Sequence, residues 1–576
     1  MLSNYIIHLY WLNKQLEGAG NKQLKRAGNK QLEGAGNKQY WETFFHNGLM
    51  FPPEYESIKI PIIYEDKEII LNSEAEEAAT FYARYIDTEY VKNNKFNKNF
   101  WKDFKKLLDP ALEIHSFENI NFSKIKKYLE NEREQKINQT KKQKEDIKKK
   151  HEKLEDKFLF AIIDGKKQPI GNFKVEPPGL FLGRGCHPKT GKIKKRIYPE
   201  DITINIGINE EIPDTGFKDR NWKEIVHDNT VIWLASWKEE ITGKMKYVRL
   251  SDKSDYKSES DRQKFDLARK LKKKLGEIRK VNEDNLNSDN LKTKQLATAL
   301  YFIENLSLRV GNEKGKNEAD TVGVTSLRIE HIELLEKNKV KLDFLGKDSV
   351  RYTKKFEVID IIYRNLNLFM QDKDRKKQLF AQINPSDLNS YLQEFMKGLT
   401  SKVFRTMNAS KLFQKELNKI TSKFQTYDND DKINLLLDEF NKANAKVALL
   451  CNHQKNVNKN FKDQFINLNN KIQEAKQKIK DLENKKKIYK EKGKDTKSIK
   501  QKIIKKDSKI KQLKSKKTLK LEMKNVSLGT SKINYIDPRI TIAFMKKNNI
   551  EINKLFTSAL QDKFTWALEV ETNYIF

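Results

Sequence analysis

Between Phe461 and about Asn525, the residues Phe465, Leu468, Ile472, Ala475, Ile479 and Leu482 recur at alternating spacings of three and four. A helix can bury such a seam only against another helix. The seam breaks at Lys492-Gly493-Lys494 and resumes less regularly at Ile499, Ile503, Ile510 and Leu513, which predicts a helical hairpin folding back on itself. This arm constrains everything around it, because it cuts a short C-terminal block off from the rest of the chain. Residues 471–520 hold 21 Lys against 6 Asp+Glu, so nearly half of the formal net charge of +34 lies on the arm. An arm so charged suits hovering beside a polyanion better than reading one.

The remaining charge points the same way. Lys+Arg number 114 against 80 Asp+Glu in 576 residues, an excess that solubility does not require and that nucleic acid most often explains. With 37% apolar residues and 31 Phe there is material for sizeable cores, which excludes a disordered basic tail; roughly three to five structural units are expected at this length. Cys186 and Cys451 are the only cysteines, so neither a disulfide framework nor a Cys-rich zinc module is available, and a reducing compartment is expected. No run of about 18 apolar residues exists to span a membrane. The apolar start, Tyr5 to Leu12, lacks the basic lead and cleavage site of a secretory signal.

From Asn13 an octapeptide repeats: NKQLEGAG, NKQLKRAG, NKQLEGAG and a partial NKQ before Tyr40. Each unit offers one large apolar residue among small ones and glycine, too little for a core, so residues 1–39 are expected to be a flexible extension. Strand-like pieces such as Ile58–Ile63 follow, then a helical pattern from Glu74 to Asp87 and an exposed charged helix from Phe122 to Lys157. Between Gln168 and Asp255 strands dominate: Ile202 to Ile206 alternates as a half-buried strand, and Val231 to Trp237 reads as a buried one. From Asp261 to His453 the pattern is helical, interrupted by one hairpin near Lys347.

Five side chains deserve scrutiny for chemistry. Tyr535, in Ser531 to Arg539, sits before Asp537-Pro538, which suit the N-cap and first turn of a helix. Its phenol, with an ordinary pKa of about 10, is a weak nucleophile unless nearby charge does most of the work. Arg309 falls near the end of a helical stripe formed by Leu296, Leu300, Ile303, Leu306 and Val310. It is either the snorkelling end of an amphipathic helix or an anchored phosphate ligand, and taken alone the snorkelling reading wins. Lys347 occupies the tip of a hairpin, with apolar alternation on both sides, where it can enter a nucleic-acid groove, although a surface turn lysine is the default. Arg405 lies amid apolar and small polar residues, and His453 closes a helix running from Asn441 to Leu450, where the helix C-terminus favours imidazolium. A stretch from Gly185 to Ile193 imitates a phosphate-binding loop but has one residue too many between its glycines and lacks the Ser/Thr. Cys186 beside His187 is too thin for a metal site.

In this order, Arg, Lys, Arg, His and Tyr resemble the catalytic pentad of the eukaryotic type IB DNA topoisomerases, and the resemblance extends from Tyr40 to Phe576. Its blocks are Glu176 to Phe181, Tyr198 to Ile202, Leu308 to Lys314 followed by Ala319 to Gly323, Phe344 to Arg351, Lys402 to Ser410, and Ser527 to Thr530 running into Tyr535 to Arg539. The resemblance implies a mixed α/β multidomain clamp. Its parts are a DNA-clamping α+β cap lobe (40–255), a mostly α-helical catalytic core with the tyrosine recombinase fold (256–456), a basic coiled-coil linker (457–525) and a C-terminal domain with the nucleophile (526–576). It implies ATP-independent relaxation of supercoiled double-stranded DNA by a nuclear monomer clamped around the duplex, with neither metal nor nucleotide. Tyr535 would form a 3′-phosphotyrosyl bond, Arg309, Arg405 and His453 would hold the non-bridging oxygens, and Lys347 would protonate the departing 5′-oxygen. Arg184, Asp348 and Asn534 map to the family's camptothecin and DNA contacts. The chain departs from the family at Leu182, where a basic residue is frequent, and at Met407, where an aromatic is usual. A tyrosine recombinase is the nearest enzymatic alternative and an architectural DNA-binding protein the non-enzymatic one. The helical arm, the cap blocks and the complete pentad favour the relaxase.

Overall fold

The computed structural model describes residues 38–315, 318–423, 429–454 and 460–576; the octapeptide repeats lie almost wholly outside them. The chain divides into two compact units, one of residues up to Lys257 with Lys314–Asp320, the other of Ser258–Glu313 and Thr321–Phe576.

The first unit has two apolar clusters. In one, Phe96, Phe100 and Phe104 recur every fourth residue on the helix Asn94–Phe104 and all three are fully buried, as the 3.6-residue period requires. The other lies around a four-stranded sheet ordered Glu224–Val226, Ile202–Asn205, Trp233–Lys238, Met245–Arg249. All four residues of Ile202–Asn205 are buried, so the alternation read there as half-buried is corrected. The strand is central, and its polar members are satisfied internally: Asn205 Nδ2 donates to Asp228 O (3.1 Å) and Trp233 O (3.2 Å). The charged stretch expected as one helix is two, Ser123–Asn138 and Lys141–Glu155, because Thr140 starts the second with a capping box. The helix expected to reach Asp87 spans Ser73–Ala83, and of the strand-like stretch at Ile58 only Ile62–Tyr64 forms a strand, Lys59 having φ of 54°.

In the second unit the helix Asp255–Leu286 buries Phe265, Ala268, Leu271, Leu275, Ile278 and Leu286 along one stripe. The helix Leu291–Leu306 is buried on most of its surface, capped by Asn290 and ended by Ser307 in the left-handed region (φ 53°). What read as one hairpin is a three-stranded antiparallel sheet, Ile332–Leu335, Lys339–Leu345 and Arg351–Glu357. The helices Ser401–Lys423 and Asn429–Leu450 follow; the latter begins well before Asn441. The seam forms two helices, Phe461–Glu491 and Lys497–Glu522, joined through Gly493 at φ 65°. Ile472, Ala475 and Ile510 are buried between them, with Ile479 and Leu513 packed alongside. Among the described residues no helix is long and apolar enough to cross a membrane.

Candidate functional site

Four segments of the second unit converge where the helix Leu291–Leu306 stops. Its next residue, Ser307, turns the chain through the left-handed region, so Arg309 stands beyond the helix and not on its last turn, which corrects the snorkelling reading. The extended segment is then clamped. Val324 N donates to Arg309 O and Thr325 N to Val310 O, both at 2.9 Å. Gly311 (φ 88°) passes so close to Gly323 that a Cβ there would lie 2.5 Å from Gly323 Cα. Only two glycines allow this crossing, and it fixes where Arg309 emerges.

The helix Ser401–Lys423 presents Arg405 and Asn408 on one face. Arg405 is 3% exposed. Its Nη1 donates to Ser307 O and its Nη2 to Cys451 O (2.9 Å), while Asn408 Nδ2 reaches Ser307 Oγ at 3.0 Å. The guanidinium therefore ties the helix end at Ser307 to the end of the helix Asn429–Leu450. No carboxylate pairs with it among the described residues, and its Nε is buried without a partner. Its Cζ lies over the Tyr535 ring, 5.1 Å from the centroid. Burial first, and then the charge of Arg405, pull the pKa of Arg309 below its ordinary value, yet a guanidinium is basic enough that Arg309 keeps its charge.

His453 follows the helix Asn429–Leu450, with Asn452 left-handed (φ 51°) just before it. Its ring is 5.2 Å from that of Tyr535. Nδ1 lies 2.7 Å from Ser531 Oγ, and Nε2 is buried without a partner. The expected imidazolium is not what forms. Burial, then the charges of Arg405, Arg309 and Lys347, lower the His453 pKa to about 3, because desolvation and three cations outweigh a helix C-terminus whose influence fades within a turn.

Tyr535 is the C-cap of the short helix Leu528–Asn534 and lies two residues before Asp537, which caps the helix Pro538–Lys547 as the sequence suggested. Ser410 Oγ grips this joint, donating to Tyr535 O (3.1 Å) and accepting from Asp537 N (3.0 Å). Asp537 is wholly buried and accepts from Arg539 Nη2 (2.8 Å) and Tyr574 OH (3.0 Å); Arg539 also pairs with Asp266 at 2.8 Å.

Lys347 opens the tight turn Lys347–Ser349 between two strands and is exposed. Gly346 N donates to Val350 O at 2.8 Å, and Asp343 holds Arg351 through both oxygens (2.8 and 2.7 Å) across the hairpin. A cleft is lined by Arg309, Lys347 and Arg405 together with Tyr352 and the backbone about Ser307 and Cys451. Asp348 is exposed in the turn of Lys347, with φ of 66°. Asn534 is exposed beside Tyr535, its Nδ2 donating to Thr530 O at 3.2 Å. Arg184 belongs to the first unit and is exposed. Among the described residues no group of three or more His, Cys, Asp or Glu could hold a metal. Nothing in residue type or spacing marks Ser410, Ser531, Arg539 or Tyr574 as part of the site. Their partners are mostly far away in sequence, and serine carries no periodic signal.

Such a site can hold a tetrahedral anion against a phenol: cations converge, Arg405 Nε is an unspent buried donor, and His453 Nε2 is buried beside it without a partner. Models of known families match nearly the whole described chain. Residues 39–250 match "Eukaryotic DNA topoisomerase I, DNA binding fragment", 253–486 "Eukaryotic DNA topoisomerase I, catalytic core" and 507–576 "C-terminal topoisomerase domain". The chain is 41% identical over 552 residues to DNA topoisomerase 1 beta of Arabidopsis thaliana, covering 93% of this chain and 59% of that protein. It is 40% identical over 551 residues to DNA topoisomerase 1 of Homo sapiens, covering 92% and 71% respectively. With DNA topoisomerase 1 of Candidozyma auris the identity is 38% over 622 residues, covering 92% and 82%. The chain thus spans about three fifths of the length of the plant relative.

Proposed function

The chain belongs to the eukaryotic DNA topoisomerase I family, and from that premise we propose that it relaxes supercoiled double-stranded DNA without ATP or metal, through a 3′-phosphotyrosyl intermediate, strand rotation and religation. Tyr535 attacks phosphorus. Arg309 and Arg405 hold the non-bridging oxygens and stabilise the charge that builds on them, and His453 adds a hydrogen bond from Nε2. Lys347 protonates the 5′-oxygen as it leaves, and religation runs the same steps backwards. The tyrosyl ester conserves the phosphodiester energy, so the scheme needs no nucleotide.

One observation carries this reading: Arg405, buried without a carboxylate partner among the described residues, lies over the Tyr535 ring beside a histidine whose Nε2 is unpartnered. Burying such groups is costly unless something anionic completes them, and a phosphodiester does so. The wider scheme assigns residues 40–255 to a DNA-clamping cap, 256–456 to a catalytic lobe of the tyrosine recombinase fold, 457–525 to a basic linker and 526–576 to the nucleophile's domain. The enzyme acts as a nuclear monomer clamped around the duplex, with Arg184, Asp348 and Asn534 at the DNA and camptothecin contacts. The test is plasmid relaxation in EDTA without ATP, paired with Tyr535→Phe. Wild type relaxes, whereas the variant binds DNA but neither relaxes it nor forms the covalent adduct. Substantial relaxation by the variant places the nucleophile elsewhere.

A further inference from the structure

Ser531 has no part in the scheme above, yet it is fully buried and its Oγ lies 2.7 Å from His453 Nδ1. A neutral imidazole has one N–H and one bare nitrogen, and the bond made at one nitrogen decides what the other presents. His453 is held neutral by burial and by the cations Arg405, Arg309 and Lys347. Of its two nitrogens only Nδ1 has a partner, and Nε2 is buried with none. When the serine hydroxyl donates to Nδ1, the single N–H must sit on Nε2, where it is an unspent donor. The opposite tautomer would leave the serine proton without an acceptor and present a bare Nε2 lone pair to an anion, which repels it.

From this geometry, and resting on the reading of the site as a phosphodiester-transfer centre, we infer that Ser531 is a positioning residue that sets the tautomer of His453 so that Nε2–H is presented to a non-bridging phosphate oxygen. The same serine belongs to the nucleophile's own turn. It lies in the helix Leu528–Asn534, and its carbonyl accepts from Tyr535 N and Ile536 N, each at 3.0 Å. Ser527 N donates to His453 O at 2.9 Å, and Gln454 bridges to Val526, so this helix docks against the histidine segment along its entry. Seating the tyrosine and preparing the histidine as a donor are therefore one event.

A double-mutant cycle tests the idea with the full chain and a suicide duplex that cannot religate, read as single-turnover cleavage with DNA affinity measured separately. Ser531→Ala should slow cleavage by about 5- to 10-fold, the worth of one neutral hydrogen bond, without changing affinity, and Ser531→Thr should restore most of the rate. In a His453→Ala background Ser531→Ala should cost nothing further. Ring-nitrogen NMR of ¹⁵N-histidine protein, with His453→Gln supplying the assignment, should show Nε2 protonated in wild type and mixed tautomers in Ser531→Ala. An equal loss in both backgrounds, or Nδ1 protonated in wild type, overturns the inference. These outcomes leave the parent reading intact, since that reading fails only if wild-type protein forms no adduct through Tyr535.

Discussion

Replacing Arg405 by lysine keeps the charge and removes the fork. In the structure the guanidinium spends two nitrogens on Ser307 O and Cys451 O, leaves Nε unpartnered, and sets its Cζ over the Tyr535 ring at 5.1 Å. A lysine's ammonium has three donors but on one nitrogen, so it cannot reach both carbonyls in the fixed fork of a guanidinium. One buried carbonyl then loses its charged donor, worth about 1.5–3 kcal/mol of stability. The chemical loss is separate. Losing a donor aimed at a developing oxyanion costs about 10²- to 10³-fold in rate, and a lysine already bonded to a carbonyl has no planar pair to offer. Arg405→Lys is therefore expected to unfold at lower denaturant and to cleave a suicide duplex at least about 10²-fold more slowly. Cleavage within about threefold of wild type, on the same scale, would refute the role of the guanidinium at the phosphate. Lost stability with cleavage preserved would reduce Arg405 to a strut between two helix ends.

Lys347→Ala should slow cleavage by about 10²-fold or more through loss of leaving-group protonation, and a 5′-bridging phosphorothiolate, which leaves unprotonated, should largely restore it; equal loss on both substrates would make Lys347 an electrostatic ligand. Asp537→Ala removes the bidentate partner of half-buried Arg539, which keeps Asp266, and leaves the Tyr574 hydroxyl without its acceptor, so it should destabilise the tyrosine's surroundings by about 1–3 kcal/mol, and limited proteolysis should then cut near Tyr535; wild-type resistance would contradict this. In the free protein the His453 pKa lies near 3, below its ordinary 6.5. The unfolded chain therefore takes up this proton first, so the stability at stake is fully present above pH 6.5 and is lost as pH falls through about 3. Denaturation across that window should show wild type losing ground to His453→Gln as pH drops, and parallel curves would disprove the buried neutral ring.

Much of the architecture was legible because it depends on local period and local punctuation. The seam through Ile472 and Ala475, the break at Gly493, and the Asp537-Pro538 helix start are written in neighbouring residues and survive any tertiary context. Lys347 at a turn followed likewise from alternation on either side of Gly346. Misreadings came where packing overrides period. Ile202–Asn205 alternates in sequence but is central in its sheet, so both faces are buried, and the helix expected to carry Arg309 stops at a left-handed serine that no propensity scale favours there.

The site divides along the same line. The family pattern singled out five side chains by type and order, and those five can be named without a structure. Their states cannot, because they arise from contacts between residues dozens to more than a hundred positions apart. Arg405 on the carbonyls of Ser307 and Cys451, Ser410 gripping the backbone on both sides of Ile536, and Ser531 against His453 all close such distances. The charge on His453 is the clearest case: its place after a helix C-terminus argues for a cation, and burial beside three other cations makes it neutral. Sequence alone determined which chemistry this chain could carry. Tertiary structure decided which protons are where, since a proton's position depends on the summed field and desolvation at a point in space, and no local pattern of residues encodes that sum.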